Sequence, residues 1–170
     1  VALEARFLRL PDGSVWTQVQ CGFPFWKRYL DVFDQVRCVA LTRDVARLEG
    51  EWQRADGPGV SFSPIPDYVG PNEFLKRAWR IRAAVRQSFH SGYAVVLRVP
   101  GNIGSLLFRR LKSLNDYPFG VEVVGDPYDV FAPGSVEHPL RPFLRWHGTR
   151  QLVHHCANSC AASYVTAHAL

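Results

Sequence analysis

The feature that most constrains this chain is a rhythm in its middle, where short runs apolar at nearly every residue alternate with segments carrying one apolar stripe. Tyr93 to Val99 (YAVVLRV) and Phe119 to Val124 are runs of the first kind. A strand without polar alternation is buried on both faces, which is the condition of a parallel sheet covered by helices. The intervening segments supply the helices. Asn72 caps one, whose stripe is Phe74, Ala78, Ile81, Val85 and Phe89, and Gly92 ends it. Pro100-Gly101-Asn102 leads into the next, with Ile103, Leu106, Leu107, Leu111 and Leu114 on its buried side.

The flanks extend the pattern. Ala5 to Leu10 alternates, Pro11-Asp12-Gly13 turns, and Ser14 to Val19 alternates again, a strand and its hairpin return. Phe25, Trp26, Tyr29, Leu30 and Phe33 stand at helical spacing. Val36 to Leu41 and Val60 to Ile65 read as strands, and the charged, ambiguous stretch 43–57 reads as a short helix ending at Asp56-Gly57-Pro58-Gly59. A helix from about Glu137 to Cys156 and a last strand from Ala162 to Val165 close the series. The expected fold is α/β, a doubly wound, mainly parallel, Rossmann-like sheet forming one domain over residues 1–170.

Composition narrows the class. Apolar residues make up 47% and charged residues 21%, which excludes general disorder. No apolar run approaches the ~18 residues a membrane span requires. Val1-Ala2-Leu3-Glu4 lacks the basic start and apolar stretch of a secretory signal. The chain has no methionine and stops at Ala167-His168-Ala169-Leu170, which reads as the opening of a helix; the expectation is a fragment of a longer polypeptide. Cys21, Cys38, Cys156 and Cys160 form no disulfide framework, so reduced thiols and a cytoplasmic location are expected.

In open parallel sheets ligands bind beyond the carboxyl ends of the strands. The segments there are Cys21-Gly22-Phe23, Pro66-Asp67-Tyr68, Pro100-Gly101-Asn102, Gly125-Asp126-Pro127 and Thr166. Glycines let a ligand reach backbone amides, and the helix opened by Gly101-Asn102-Ile103-Gly104 favours an anion at its start. Against this stands the plain reading, in which Gly101 and Gly104 only make a tight turn and close packing. Arg98, in an otherwise apolar strand, adjoins that loop. Glu122 lies inside a strand and must be paired or face a polar cleft. Asp126, before Tyr128 and Asp129, can serve as a base, orient a hydroxyl or cap the next turn. For Asp129 the turn role is favoured.

Other features lead less far. His154, His155, Cys156 and Cys160 fall at one helix end without the second ligand pair a structural zinc requires, so no metal is assigned; the cysteines are read as buried packing groups. Residues 76–86 carry Lys76, Arg77, Arg80, Arg82 and Arg86 with no acid. Such a helix can lie on anionic lipid or can simply be a solvated face. No nucleic-acid-binding signature is present. Nor is there a Walker loop, a Gly-x-Gly-x-x-Gly after the first strand, or a Gly-x-Ser-x-Gly elbow. Sugar-nucleotide and carbohydrate chemistry remains as the large user of such sheets.

Three stretches carry a resemblance: Phe25-Trp26-Lys27-Arg28-Tyr29-Leu30-Asp31-Val32-Phe33, Val121-Glu122-Val123-Val124-Gly125-Asp126-Pro127, and Ser163-Tyr164-Val165-Thr166 with the helix start at Leu170. From about Ala5 to Leu170 the chain resembles the N-terminal half of bacterial group-one glycosyltransferases, retaining enzymes of GT-B fold that build cell-surface polysaccharides. The resemblance implies an acceptor-side domain facing a C-terminal domain that holds the nucleotide-sugar. It implies that Gly22 belongs to the glycine loop near the donor phosphates and that Gly101 and Asn102 line the cleft. Gly125 stands where many relatives carry a histidine, with Asp126 after it as the group orienting the acceptor. Arg98, Glu122, Tyr128 and Thr166 complete the expected binding set. No cofactor beyond the nucleotide-sugar substrate is implied. The paired glutamates for the donor lie in the family's C-terminal half, so these residues alone are expected to be inactive. The acceptor is a saccharide or a lipid-linked one, and basic helices of such domains often touch the inner membrane face, which fits residues 76–86. Two other readings remain: a stand-alone sugar- or nucleotide-binding module, and a basic adaptor on lipid or nucleic acid.

Overall fold

The computed structural model describes residues 1–115, 117–135 and 137–164. It is α/β with mainly parallel strand pairing and divides into two compact units, Val1–Ser91 and Gly92–Leu170.

In the first unit, β1 (Ala2–Arg9) turns back into β2 (Val15–Thr17), paired antiparallel. The turn forms where Pro11-Asp12-Gly13 predicts it. Gly13 adopts φ +85°, and the Asp12 carboxylate accepts from the Ser14 amide at 2.9 Å and its hydroxyl at 2.6 Å. The helix α1 spans Phe23–Leu30, with Pro24 in its first turn. β3 (Val36–Asp44) runs parallel to β1 and to β5 (Val60–Pro66). Its continuous apolar run is buried from Cys38 to Thr42, as strands covered on both faces are. Phe7, Trp26 and Cys38 are fully buried in this core, and Trp26 meets Phe25 edge-on at 4.8 Å.

Two expectations change here. The stretch 43–57 holds no described helix; it contributes β4 (Gln53–Arg54), a two-residue strand paired with β2. The helix expected from Asn72 begins earlier, as α2 (Gly70–Ser88), with Val69 at its cap. Pro71 suits a first turn, and the Glu73 carboxylate returns to the Val69 amide at 2.9 Å, taking the capping role assigned to Asn72. Ile81 and Val85 are its buried stripe.

In the second unit, β6 (Val96–Val99), β7 (Gly120–Val123) and β8 (Ala161–Tyr164) pair in parallel in that order. β6 starts later than the apolar run suggests, since Tyr93 is exposed outside it and its carbonyl accepts from the Tyr117 hydroxyl at 2.9 Å. Between β6 and β7 runs α3 (Asn102–Lys112), which buries Ile103, Leu107, Phe108 and Leu111. The single turn α4 (Pro127–Val130) follows β7, and the helix expected from about Glu137 begins at Arg141, as α5 (Arg141–Ala157) with Pro142 in its first turn. Val165, Thr166 and Leu170, named in the sequence reading, lie outside the described residues. No helix among the described residues is long and apolar enough to cross a membrane.

Candidate functional site at the strand ends of the second unit

Parallel pairing of β6 and β7 sets the geometry. Arg98 lies directly opposite Glu122, Val99 opposite Val123, and the Val124 amide donates to the Val99 carbonyl at 2.8 Å. The loops leaving both strands therefore start side by side, one carrying Gly101 and Asn102 and the other Gly125 and Asp126. That is the carboxyl edge at which ligands approach parallel sheets.

Each expected residue has a definite place. Arg98 Nε donates to Glu122 Oε2 at 2.7 Å, with side chains only 13% and 10% exposed. Of the roles open to Glu122, this ion pair is the one formed. A pair so enclosed is costly to break from one side, because the remaining charge stays in a poor solvent. Gly101 caps α3, and its carbonyl accepts from the Ser105 amide at 3.1 Å and hydroxyl at 2.7 Å. Asn102 is the first helical residue and is exposed. Gly104 has a packing role: a Cβ there would lie 3.3 Å from the Arg98 carbonyl oxygen, so glycine lets the helix approach β6 closely.

Asp126 caps α4, its Oδ1 accepting from the Tyr128 amide at 2.8 Å. Its second oxygen has no partner among the described residues, so the cap leaves half of the carboxylate available. At Gly125 the direction a side chain would take is open, with no atom within 4 Å. Tyr128 is exposed, beneath the Arg145 guanidinium at 3.4 Å from its ring centre. Asp129 is exposed in the same turn.

Gly22 belongs to the first unit. It is buried at the cap of α1, and the space a Cβ would fill holds the Gln53 amide, 2.3 Å away. The backbone there is thus covered by a side chain of its own unit. Thr166 lies outside the described residues.

The histidine and cysteine cluster resolves into packing. His155 is 2% exposed on α5 with its ring 4.6 Å from that of Phe108, and its Nδ1 has no partner among the described residues. Burial, with neighbouring His154 and Arg109, pushes its pKa down to about 4, so it is neutral at ordinary pH. Cys160 is exposed and Cys156 half-buried, not the buried groups expected. Cys38 is the deeply buried one, its thiol raised to about 12 by burial and therefore unreactive.

Sequence reasoning missed a second feature of this unit. A cavity of about 540 Å³ lies between α4 and α5, lined by Tyr128, Phe131, Trp146 and three arginines, Arg141, Arg145 and Arg150. The signal was present in the sequence as basic and aromatic residues at helical spacing from 141 to 150. No protein-family model, curated protein or solved structure matches the chain.

Proposed function

We propose that this chain is the Rossmann-like, acceptor-side part of a retaining glycosyltransferase of GT-B type. In this reading the β6 and β7 ends receive the attacking hydroxyl of a saccharide or lipid-linked acceptor, and a separate nucleotide-sugar domain supplies the donor. The observation that carries it is the parallel register of β6 and β7, from whose carboxyl ends the Gly101-Asn102 and Gly125-Asp126 segments leave. The half-engaged Asp126 carboxylate is suited to orient a hydroxyl, and the open direction at Gly125 leaves room for a sugar where many of the resembled enzymes carry an imidazole. The enclosed Arg98–Glu122 pair acts beneath this edge as a positioning element rather than a sugar contact. The domain's contribution to rate is alignment of the acceptor and exclusion of water.

The α2 surface supports placement at an anionic membrane, where lipid-linked acceptors reside. Leu75 and Trp79 are 69% and 66% exposed one turn apart, among Lys76, Arg80, Arg82 and Arg86. An apolar pair ringed by cations is the pattern of interfacial helices.

The test is sugar transfer by the polypeptide encoded by the complete gene, assayed with nucleotide-sugars against saccharide and polyprenyl-linked acceptors. The expected result is acceptor-dependent release of nucleoside diphosphate with retention at the anomeric carbon. Nucleotide-sugar affinity in the chain alone, without transfer by the complete product, would favour a stand-alone binding module.

A further inference from the structure

We propose that the cavity between α4 and α5 is a binding site for a diphosphate ester, with the diphosphate on the arginines and the attached group on the aromatic wall. Arg141, Arg145 and Arg150 all line it, and no acidic residue does. Among the described residues none of the three forms an ion pair. Some arginines elsewhere do find carboxylates, as Arg9 does with Asp44 at 2.7 Å. Three guanidinium groups collected on one cavity without a counter-charge point to an anionic ligand, since guanidinium matches phosphate oxygens in paired hydrogen bonds.

The spacing indicates what kind of anion. Positions 141 and 150 are nine steps apart along α5, roughly 13 Å of helix, with 145 between them. One carboxylate or monophosphate does not span such a row, whereas the two phosphoryl groups of a diphosphate reach neighbouring members of it. Arg145 is already held in place: its Nε donates to the Tyr128 carbonyl at 2.8 Å while its guanidinium covers the Tyr128 ring. Among the described residues nothing accepts from its terminal nitrogens. The Thr149 hydroxyl also lines the cavity, buried and without a partner among the described residues, a polar atom that a ligand oxygen would satisfy.

The rest of the lining is apolar or aromatic, with Phe131, Pro133 and the exposed Trp146 ring, over which the Arg150 guanidinium lies at 5.8 Å. It suits a planar base or a hydrocarbon chain, so nucleoside diphosphates and isoprenyl diphosphates share the required chemistry. The cavity volume falls within the ordinary range for small-molecule sites. This site is independent of the sugar-transfer reading, because its test reads binding and needs no turnover.

The experiment is calorimetric titration of the whole chain with uridine diphosphate, geranyl diphosphate and inorganic pyrophosphate. At least one ester is expected to bind ten-fold or more tightly than pyrophosphate, and the tighter ester identifies the source of the ligand. The Arg141→Gln/Arg150→Gln double variant should weaken that ester at least ten-fold with an unchanged melting temperature. Trp146→Ser should weaken the ester and leave pyrophosphate unaffected. Should the double variant lose its fold, Arg150→Lys alone, which keeps the charge and removes the paired hydrogen bonds, is expected to weaken the ester several-fold. No ester binding, equal binding of pyrophosphate, or full affinity in the arginine variants would overturn the proposal.

Discussion

Three arginines of residues 1–91 and three of α5 have different surroundings. In the first unit Arg6 meets Asp67, Arg9 meets Asp44 and Arg54 meets Asp56, all within ion-pair distance, and the Gly22 backbone is covered by Gln53. These pairs lie mostly at exposed positions, where they contribute little. In the second unit one pair, Arg98–Glu122, is enclosed between strands, while the arginines of α5 gather on a cavity without carboxylates. Arg6, Arg9 and Arg54 are engaged by carboxylates, whereas Arg141, Arg145 and Arg150 line a cavity that has none. The contrast teaches that cation count, +5 for the chain, says less about binding than which cations lack an internal partner.

Substitutions can break or sharpen this comparison. The largest loss is expected for Trp26→Ala, which empties the fully buried aromatic centre of the first unit. Denaturant unfolding should show a drop of about 3–5 kcal/mol, with diphosphate binding in the second unit retained. Next comes the enclosed pair. Glu122→Leu alone should cost about 3 kcal/mol, and adding Arg98→Met should recover most of it. By contrast Asp44→Ala, at the exposed pair of the first unit, should change stability by less than about 1 kcal/mol. Equal effects at the two pairs would remove the distinction between the units.

Third is the response to acid. The folded state holds the His155 pKa near 4, against 6.5 for the unconstrained group. Above pH 6.5 both states are neutral at this residue and its contribution is constant. As pH falls from 6.5 toward 4 the unfolded chain binds a proton that the fold disfavours, so stability declines. The total is on the order of 2–3 kcal/mol. Stability curves of His155→Leu should be flatter than wild type across that window. The smallest expected effects separate two glycines at the candidate site. Gly104→Ala places a methyl 3.3 Å from a backbone oxygen and should cost about 1–2 kcal/mol. Gly125→Ala meets open space and should stay within about 0.5 kcal/mol in thermal unfolding.

Much of this architecture was legible because continuous apolar runs such as Val36–Leu41 and Phe119–Val124 have few alternatives to a buried strand. β4 was not legible, since two residues become a strand only by pairing with β2, a contact distant in sequence. The start of α2 shifted because Gly70-Pro71 and Glu73 outweigh the local cap signal of Asn72. At the site, Arg98 and Glu122 stood out as ionisable residues in apolar strands. Their direct opposition depends on strand register, which composition does not encode. The arginines of α5 are visible as residues, but the cavity they line is closed by residues at and after α4, a single turn too short to leave a periodic signal.

The most direct test of the strand-end site compares Asp126→Asn with wild type in the complete gene product. Asparagine keeps the α4 cap, so the fold should persist, while the carboxylate charge is lost. The account predicts turnover lowered at least ten-fold with the nucleotide-sugar KM unchanged. Wild-type turnover in that variant, with transfer otherwise intact, would contradict it.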